Sequence, residues 1–367
     1  GRVIYRRLVR PFLFAFDAER AHKLGMRGLQ VAGYLPGAHS LFSHCCTVED
    51  PSLQLEVAGL RFPSPLGLAA GWDKNGVALR LIDAFGFGFA EIGSVSAQPS
   101  RGNPRPRLFR VPDEQAIVVN YGLPNDGAVT IARRIANAKC CIPLGVNLVR
   151  TNDRSRTFNE DETIADYLES VRSFREVADY LMLNLSCPNA AGGRDFFGIP
   201  GSIDRLLNEI KSLDVQCPVF LKVPPSSCVA DHERWLSEVD SYDVVKGFMF
   251  NLAPGKPNWL RWNSSQDEIK KRLGAVAGRP IAEHMHECVR SLAMRMDRNR
   301  YVLFGSGGIS DADDAWRQIC SGASLLQLYS AFVFQGPSVA KRIQLGLLKK
   351  LEQAGLSHIQ EAIGIGL

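Results

Sequence analysis

The chain has 367 residues, of which 46 % are apolar and 22 % charged, ordinary values for a folded globular protein. That composition excludes a disordered chain, a collagen-like repeat and a disulfide-stapled miniprotein. The net charge is only +5, from 43 basic and 38 acidic residues, too mild a balance to argue for nucleic acid. No apolar run approaches the ~20 residues needed to cross a bilayer. The first residue is Gly1 rather than Met, which leaves room for an upstream segment removed in processing.

The charge is concentrated at one end. Residues 1–30 hold Arg2, Arg6, Arg7, Arg10, Arg20, Lys23 and Arg27 against Asp17 and Glu19, with the apolar stretch 11–16 between them. Two readings fit. Such an end lies on an anionic membrane surface, or it forms an amphipathic helix packed on its own domain with Arg facing water. The nine Cys are odd in number and lack metal spacing, which points to a reducing compartment. The seven His form no metal motif, and no metal is expected.

In chain order, residues 1–45 read as a two-helix appendage, roughly 4–14 and 18–31, with 34–38 as the turn out of it. Residues 46–367 form the main body. From about residue 60 one unit repeats: a short aliphatic or β-branched run with a small or polar end, then a helical pattern. The runs are 65–71, 89–96, 142–148, 180–186, 218–224, 244–252, 301–308 and 325–332. Helical patterns fall at 76–85, 128–138, 164–178, 203–213, 281–296, 312–320 and 338–354. Such a repeat predicts a (β/α)8 barrel, a TIM-type α/β fold, with a doubly wound sheet as the alternative. Two insertions, 97–119 and 253–275, leave the C-terminal ends of the second and sixth strands, where barrel enzymes build active sites.

The strand ends carry the chemistry. They are Ala70-Gly71 with Lys74 just after, Ser94, Asn147, Asn184, Lys222, Asn251, Gly307-Gly308 and Tyr329-Ser330. In a barrel these converge on one mouth. Asn side chains pair with donors and acceptors on a ring edge, and Gly lets backbone N–H groups reach phosphate oxygens. Lys222 suits positive charge near a flavin N1–C2 edge. Taken singly, each is more often a turn former or structural residue, and the coincidence across eight strands carries the weight. Cys187, between Asn184 and Asn189, is a candidate base or nucleophile, or else an inert buried thiol. The following segment, 189–202, reads as a lid or as a loop whose Phe196-Phe197 pair packs on a helix.

These motifs resemble one family. Gly67-Leu-Ala-Ala-Gly-Trp-Asp-Lys-Asn75, Glu91-Ile-Gly-Ser-Val95, Gly102-Asn-Pro-Arg-Pro-Arg-Leu-Phe-Arg110, Asn184-Leu-Ser-Cys-Pro-Asn189 and Gly322-Ala-Ser-Leu-Leu-Gln-Leu-Tyr-Ser330 are similar to those of dihydroorotate dehydrogenases. The segment Asp17-Ala-Glu-Arg-Ala-His22 resembles the quinone-linked, membrane-associated class. The resemblance implies a barrel holding one FMN, with a base taking the C5 proton of dihydroorotate while the flavin takes the C6 hydride. It implies FMN contacts at Ala70, Gly71, Ser94, Asn147, Asn184, Lys222, Gly278, Gly307, Gly308, Tyr329 and Ser330. Substrate contacts would be Lys74, Asn184, Asn189, Asn251 and the backbone of Tyr121, Gly122 and Leu123, with Cys187 as base. A quinone would pass His22 and Arg110 between the N-terminal helices. The implied location is peripheral, on an inner or cytoplasmic membrane, through residues 1–30.

Three positions depart from the family pattern. Cys187 stands where the quinone-linked class usually has Ser. Val119 stands where a ring-binding Asn is expected, with Asn120 displaced by one. Leu252 replaces a hydroxyl residue. Besides dihydroorotate oxidation, two alternatives follow: a paralogue acting on a C–C bond of a less polar carboxylated substrate, and a flavin-binding protein without turnover.

Overall fold

The computed structural model describes residues 2–138, 140–188, 196–260 and 267–367. Its centre is a closed barrel of eight parallel strands. They are β1 (Leu66–Leu68), β2 (Phe89–Val95), β3 (Leu144–Leu148), β4 (Tyr180–Asn184), β5 (Val219–Val223), β6 (Val245–Phe250), β7 (Val302–Ser306) and β8 (Leu325–Leu328). Each pairs with its sequence neighbour, and β8 returns to β1, with Leu326 opposite Leu66 and Leu328 opposite Leu68. That last pairing excludes the doubly wound alternative. Every residue of β1, β3, β4, β7 and β8 is buried, as parallel strands covered by helices outside and filled by side chains inside must be.

Large rings fill the barrel. Phe89, Tyr180, Phe220 and Phe304 meet with centroids 4.9 to 6.5 Å apart. Two strand glycines make room for them. A Cβ on Gly67 would fall 2.3 Å from the Phe89 ring, and one on Gly145 would fall 2.0 Å from the Tyr180 ring. The outer helices start on side-chain caps. Asn159 and Glu162 form a capping box at Glu160–Phe174, and Asp311 caps Ala312–Cys320.

The amino-terminal region differs from a two-helix appendage. Residues 2–14 are helical with one π turn, Tyr5–Val9, and Ala18–Ala32 follows under an Asp17 cap. A third helix, Ala38–Cys46, then starts at Gly37, whose φ of +80° suits glycine. The turn at 34–38 therefore leads to another helix. The first insertion forms a hairpin, and the strand that begins at the last residue of the second pairs with it. Leu108–Val111 pairs with Ala116–Val119, and Ala116–Val119 pairs with Ala275–Gly278, giving a three-stranded antiparallel sheet at the barrel mouth. No helix is long and apolar enough to cross a membrane among the described residues.

Candidate active site

The barrel mouth gathers most of the residues singled out from the sequence. Ala70, Gly71, Ser94, Asn184, Lys222, Asn251, Gly307, Gly308, Tyr329 and Ser330 line one cavity from the strand ends. Lys74, Tyr121, Gly122, Leu123 and Cys187 join them, with Gly278 from the small sheet. Asn147 does not reach the cavity. It lies one layer below, fully buried, where its Oδ1 accepts from Ser94 Oγ at 2.6 Å and from Asn184 Nδ2 at 3.2 Å. Asn189 lies outside the described residues. Phe197 packs edge-on against Tyr167 of the Glu160–Phe174 helix, and residues 189–195 of the segment read as a lid or loop lie outside the described residues. Trp259 stacks on His284 at 4.0 Å, and Trp262 lies outside the described residues.

Glu91 was not singled out, although it is a lone acid inside the otherwise apolar run of β2. It is 1 % exposed and accepts hydrogen bonds from Asn147 Nδ2 (2.8 Å), Tyr180 Oη (3.1 Å) and Gln327 Nε2 (2.7 Å). A buried carboxylate needs such donors, and in return it fixes their orientation. The order passes upward through Asn147 to Asn184. Asn184 Oδ1 in turn accepts from Asn251 Nδ2 at 2.9 Å, and that same amide reaches Ser186 Oγ at 3.3 Å. Two carboxamides are thus held rigid on the cavity wall.

One side of the cavity is built for a carboxylate. The carbonyls of Tyr121, Gly122 and Leu123 are tied back: Tyr121 O accepts from Asn103 N at 2.9 Å, Gly122 O from Asn152 Nδ2 at 2.7 Å and Leu123 O from Asn125 Nδ2 at 2.9 Å. Their N–H groups make no hydrogen bond among the described residues. Gly122 (φ +67°) and Leu123 (φ +62°) sit in the left-handed region, the curvature that turns successive N–H groups toward one anion. Lys74 stands beside them, 4.0 Å over the Tyr121 ring, with Nζ donating to Gly71 O at 2.5 Å. Burial pushes the Lys74 ammonium down to about 8.

The opposite side suits a phosphate and a flat ring. Gly307 (φ +87°) and Gly308 (φ +76°) present backbone N–H groups with no partner among the described residues. A Cβ on Gly308 would meet Ala282 Cβ at 2.4 Å, so only glycine fits there. Ser330 opens a helix, Ser330–Gln335, whose first N–H groups have no intrahelical acceptor. The Lys222 ammonium makes no hydrogen bond or ion pair among the described residues, and burial lowers its pKa, while Glu91 and Cys187 oppose that shift. A phosphorylated ring with an electron-rich edge would satisfy all of these donors.

Cys187 is 5 % exposed, against Val149 and Leu123. The Lys222 charge favours its thiolate electrostatically. Val119 and Leu252 also line the cavity. Asn120 does not, because its Oδ1 accepts from Asn103 Nδ2 at 3.0 Å on the far face of the strand. Two apolar walls therefore face the carboxamides.

His22 and Arg110 are not brought together. His22 lines a separate outer cavity of about 960 Å³ that meets the mouth at Lys74 and Tyr121. Burial, reinforced by the Lys74 charge, pushes His22 down to about 3, so it is neutral at neutral pH. Arg110 holds the end of the first helical segment and the turn after it, donating to Leu13 O at 3.2 Å and to Phe16 O, with its guanidinium 4.3 Å over the Phe14 ring.

Fold and mouth together define a (β/α)8 barrel protein whose mouth carries donors suited to a phosphorylated ring and a small carboxylate. Comparison with known proteins narrows this. The family model for dihydroorotate dehydrogenase matches residues 52–351. A dihydroorotate dehydrogenase (quinone) of Natronomonas pharaonis is 35 % identical over 362 residues, covering 98 % of this chain and 99 % of that one. One from Mycolicibacterium smegmatis is 36 % identical and covers 98 % of both. The crystal structure of Eimeria tenella DHODH in complex with ferulenol has a TM-score of 0.81, with 29 % identity over 94 % of each chain. The chain belongs to the dihydroorotate dehydrogenase family, and membership implies a flavin cofactor.

Proposed function

We propose that the protein is an FMN-dependent oxidoreductase that oxidises dihydroorotate to orotate and passes the electrons to a quinone. The observation that carries this reading is the carboxylate nest. Three backbone N–H groups without partners among the described residues, with Lys74 beside them, share one cavity with the Asn184 and Asn251 carboxamides and Cys187. Gly278, Gly307, Gly308 and Ser330 would hold FMN, which would supply a hydride acceptor for the substrate and a two-electron donor for the quinone. The chain's own residues do the rest. Lys74 and the nest hold the substrate carboxylate, the carboxamides orient the ring, and Cys187 as thiolate takes the C5 proton. Lys222 would offset the negative charge that accumulates on the reduced ring.

The quinone route is supported by an apolar cluster joining the N-terminal helices to the mouth. It includes Phe14, Ala18, Leu108 and Phe334, and three of its members, Val119, Tyr121 and Tyr329, also line the cavity. We place the first helical segments on a membrane surface as a peripheral anchor, because their apolar side chains stand exposed among arginines. The test is steady-state turnover of dihydroorotate with a short-chain quinone, followed at the orotate absorbance. Orotate forming in step with quinone loss supports the reading, and absence of orotate removes it.

A second reading is favoured by Val119, Leu252 and the outward turn of Asn120. The substrate is then a less polar carboxylated ring, oxidised or reduced at a C–C bond. Each ring hydrogen bond lost in a buried site costs about 1–3 kcal/mol. Affinity for orotate against a carboxylated apolar ring of similar size separates the two.

A further inference from the structure

The N-terminal segment and the barrel enclose a cavity that the proposed reaction does not use. It measures about 430 Å³, a size typical of small-ligand sites. Four guanidinium groups line it: Arg6 and Arg10 from the N-terminal segment, Arg279 just after the small sheet, and Arg342 from the helix Val339–Ala354. Asp311 is the one carboxylate on its wall among the described residues, and its Oδ1 is engaged by the N–H groups of Asp313 and Asp314, both at 3.0 Å. Arg342 is held by Ser338 Oγ at 3.2 Å and by Gln335. Arg10 donates to Phe334 O at 3.4 Å. Arg6 and Arg279 have no hydrogen bond or ion pair among the described residues. Four cations around one engaged carboxylate repel each other unless an anion sits between them. Guanidinium forks match the oxygens of a phosphate.

What anion is decided by the adjoining surface. The same segment exposes Val3 (62 %), Ile4 (61 %), Leu8 (67 %) and Phe12 (63 %). A basic pocket beside a row of exposed apolar side chains matches the boundary between phosphates and acyl chains. We propose that this pocket binds the headgroup phosphate of an anionic phospholipid while the neighbouring apolar side chains enter the acyl region. The inference rests on the peripheral-membrane reading and adds to it a lipid class and the residues that select it. It also gives the anchor a fixed orientation, because two of the arginines belong to the barrel body and two to the segment.

The test uses the flavin-loaded full chain and sedimentation with vesicles. One set is phosphatidylcholine alone, and the other contains a minor fraction of phosphatidylglycerol. The wild type binds the mixed vesicles more tightly. At about 1 kcal/mol per basic residue near the surface, the double variant Arg6→Gln/Arg279→Gln loses about thirtyfold on mixed vesicles. Its binding to plain phosphatidylcholine stays unchanged, as does flavin reduction. The exposed pair Arg7→Gln/Arg20→Gln removes the same charge outside the pocket and retains the preference. Equal losses from both double variants would mean diffuse attraction and overturn the pocket. Saturable binding of inorganic phosphate without any phosphatidylglycerol preference would overturn the lipid in favour of a free anion. Failure of the wild type on both vesicle types would remove the membrane reading itself, a result distinct from binding without preference.

Discussion

Arg107 closes on Glu19 through two bonds, Nε to Oε2 at 3.1 Å and Nη2 to Oε1 at 2.8 Å, with both side chains buried. Glu19 belongs to the helix Ala18–Ala32, and Arg107 leads into the small sheet at the barrel mouth. The remaining nitrogen of Arg107, Nη1, donates to the carbonyls of Arg101 (2.7 Å), Asn103 (2.9 Å) and Tyr121 (3.3 Å). One guanidinium therefore docks the N-terminal helices and also braces the backbone that presents the carboxylate nest.

Glu19→Gln is expected to loosen both. Breaking a buried pair costs about 3–5 kcal/mol because the partner charge is left stranded. The loss should show as faster hydrogen exchange across residues 18–32 and a raised KM. The pH dependence has a definite sign. Burial acts to raise the Glu19 pKa, but Arg107, Lys23 and Arg105 prevail and hold it at about 2. A depressed carboxylate stabilises the fold fully above its unfolded value and loses that contribution as pH falls toward about 2. Undocking of this helix in the wild type should therefore appear only under strong acid.

Lys74 sets an alkaline limit. Its ammonium is the form that binds a carboxylate, and burial places its pKa at about 8 in the free protein. Substrate KM should stay flat below that value and rise about tenfold per unit above it, since each unit removes tenfold of the charged form. Bound carboxylate shifts the group back up, so kcat should lack this limb. Lys74→Gln should abolish the KM limb.

Cys187→Ala should slow flavin reduction by about a hundredfold or more, the usual contribution of a positioned base. Cys187→Ser should recover part of the rate only at higher pH, because a hydroxyl yields its proton far less readily than a thiol. Flavin content should be unchanged in both. Equal rates in the wild type and Cys187→Ala would remove the thiol from the reaction.

Val119→Asn should tighten orotate binding by about tenfold, one net hydrogen bond to a ring edge. The measurement is orotate quenching of flavin fluorescence. An unchanged or weaker constant would show that the apolar wall belongs to the substrate, as the second reading holds.

The barrel was legible because each strand is a short aliphatic run with a small or polar end, and the mouth followed from topology. The helix Val229–Val239 was missed because only His232, Trp235 and Val239 of it are buried, too sparse an apolar stripe to register. The small sheet was missed because Ala275–Gly278 finds its partner in Ala116–Val119, far away along the chain. Periodicity carries no information on such pairings. Among site residues, the positions at strand ends were readable, but depth was not. Asn147 and Ser94 both sit at strand ends, yet one supports the cavity from below and the other lines it. The Asn120 displacement was readable from strand alternation, and its bond to Asn103 shows where that side chain goes.

The most direct measurement is anaerobic mixing of the flavin-loaded protein with dihydroorotate, watching the flavin absorbance. Rapid bleaching is expected in the wild type and slow bleaching in Cys187→Ala. Persistent yellow colour in a wild-type sample that dithionite still bleaches would contradict dihydroorotate oxidation.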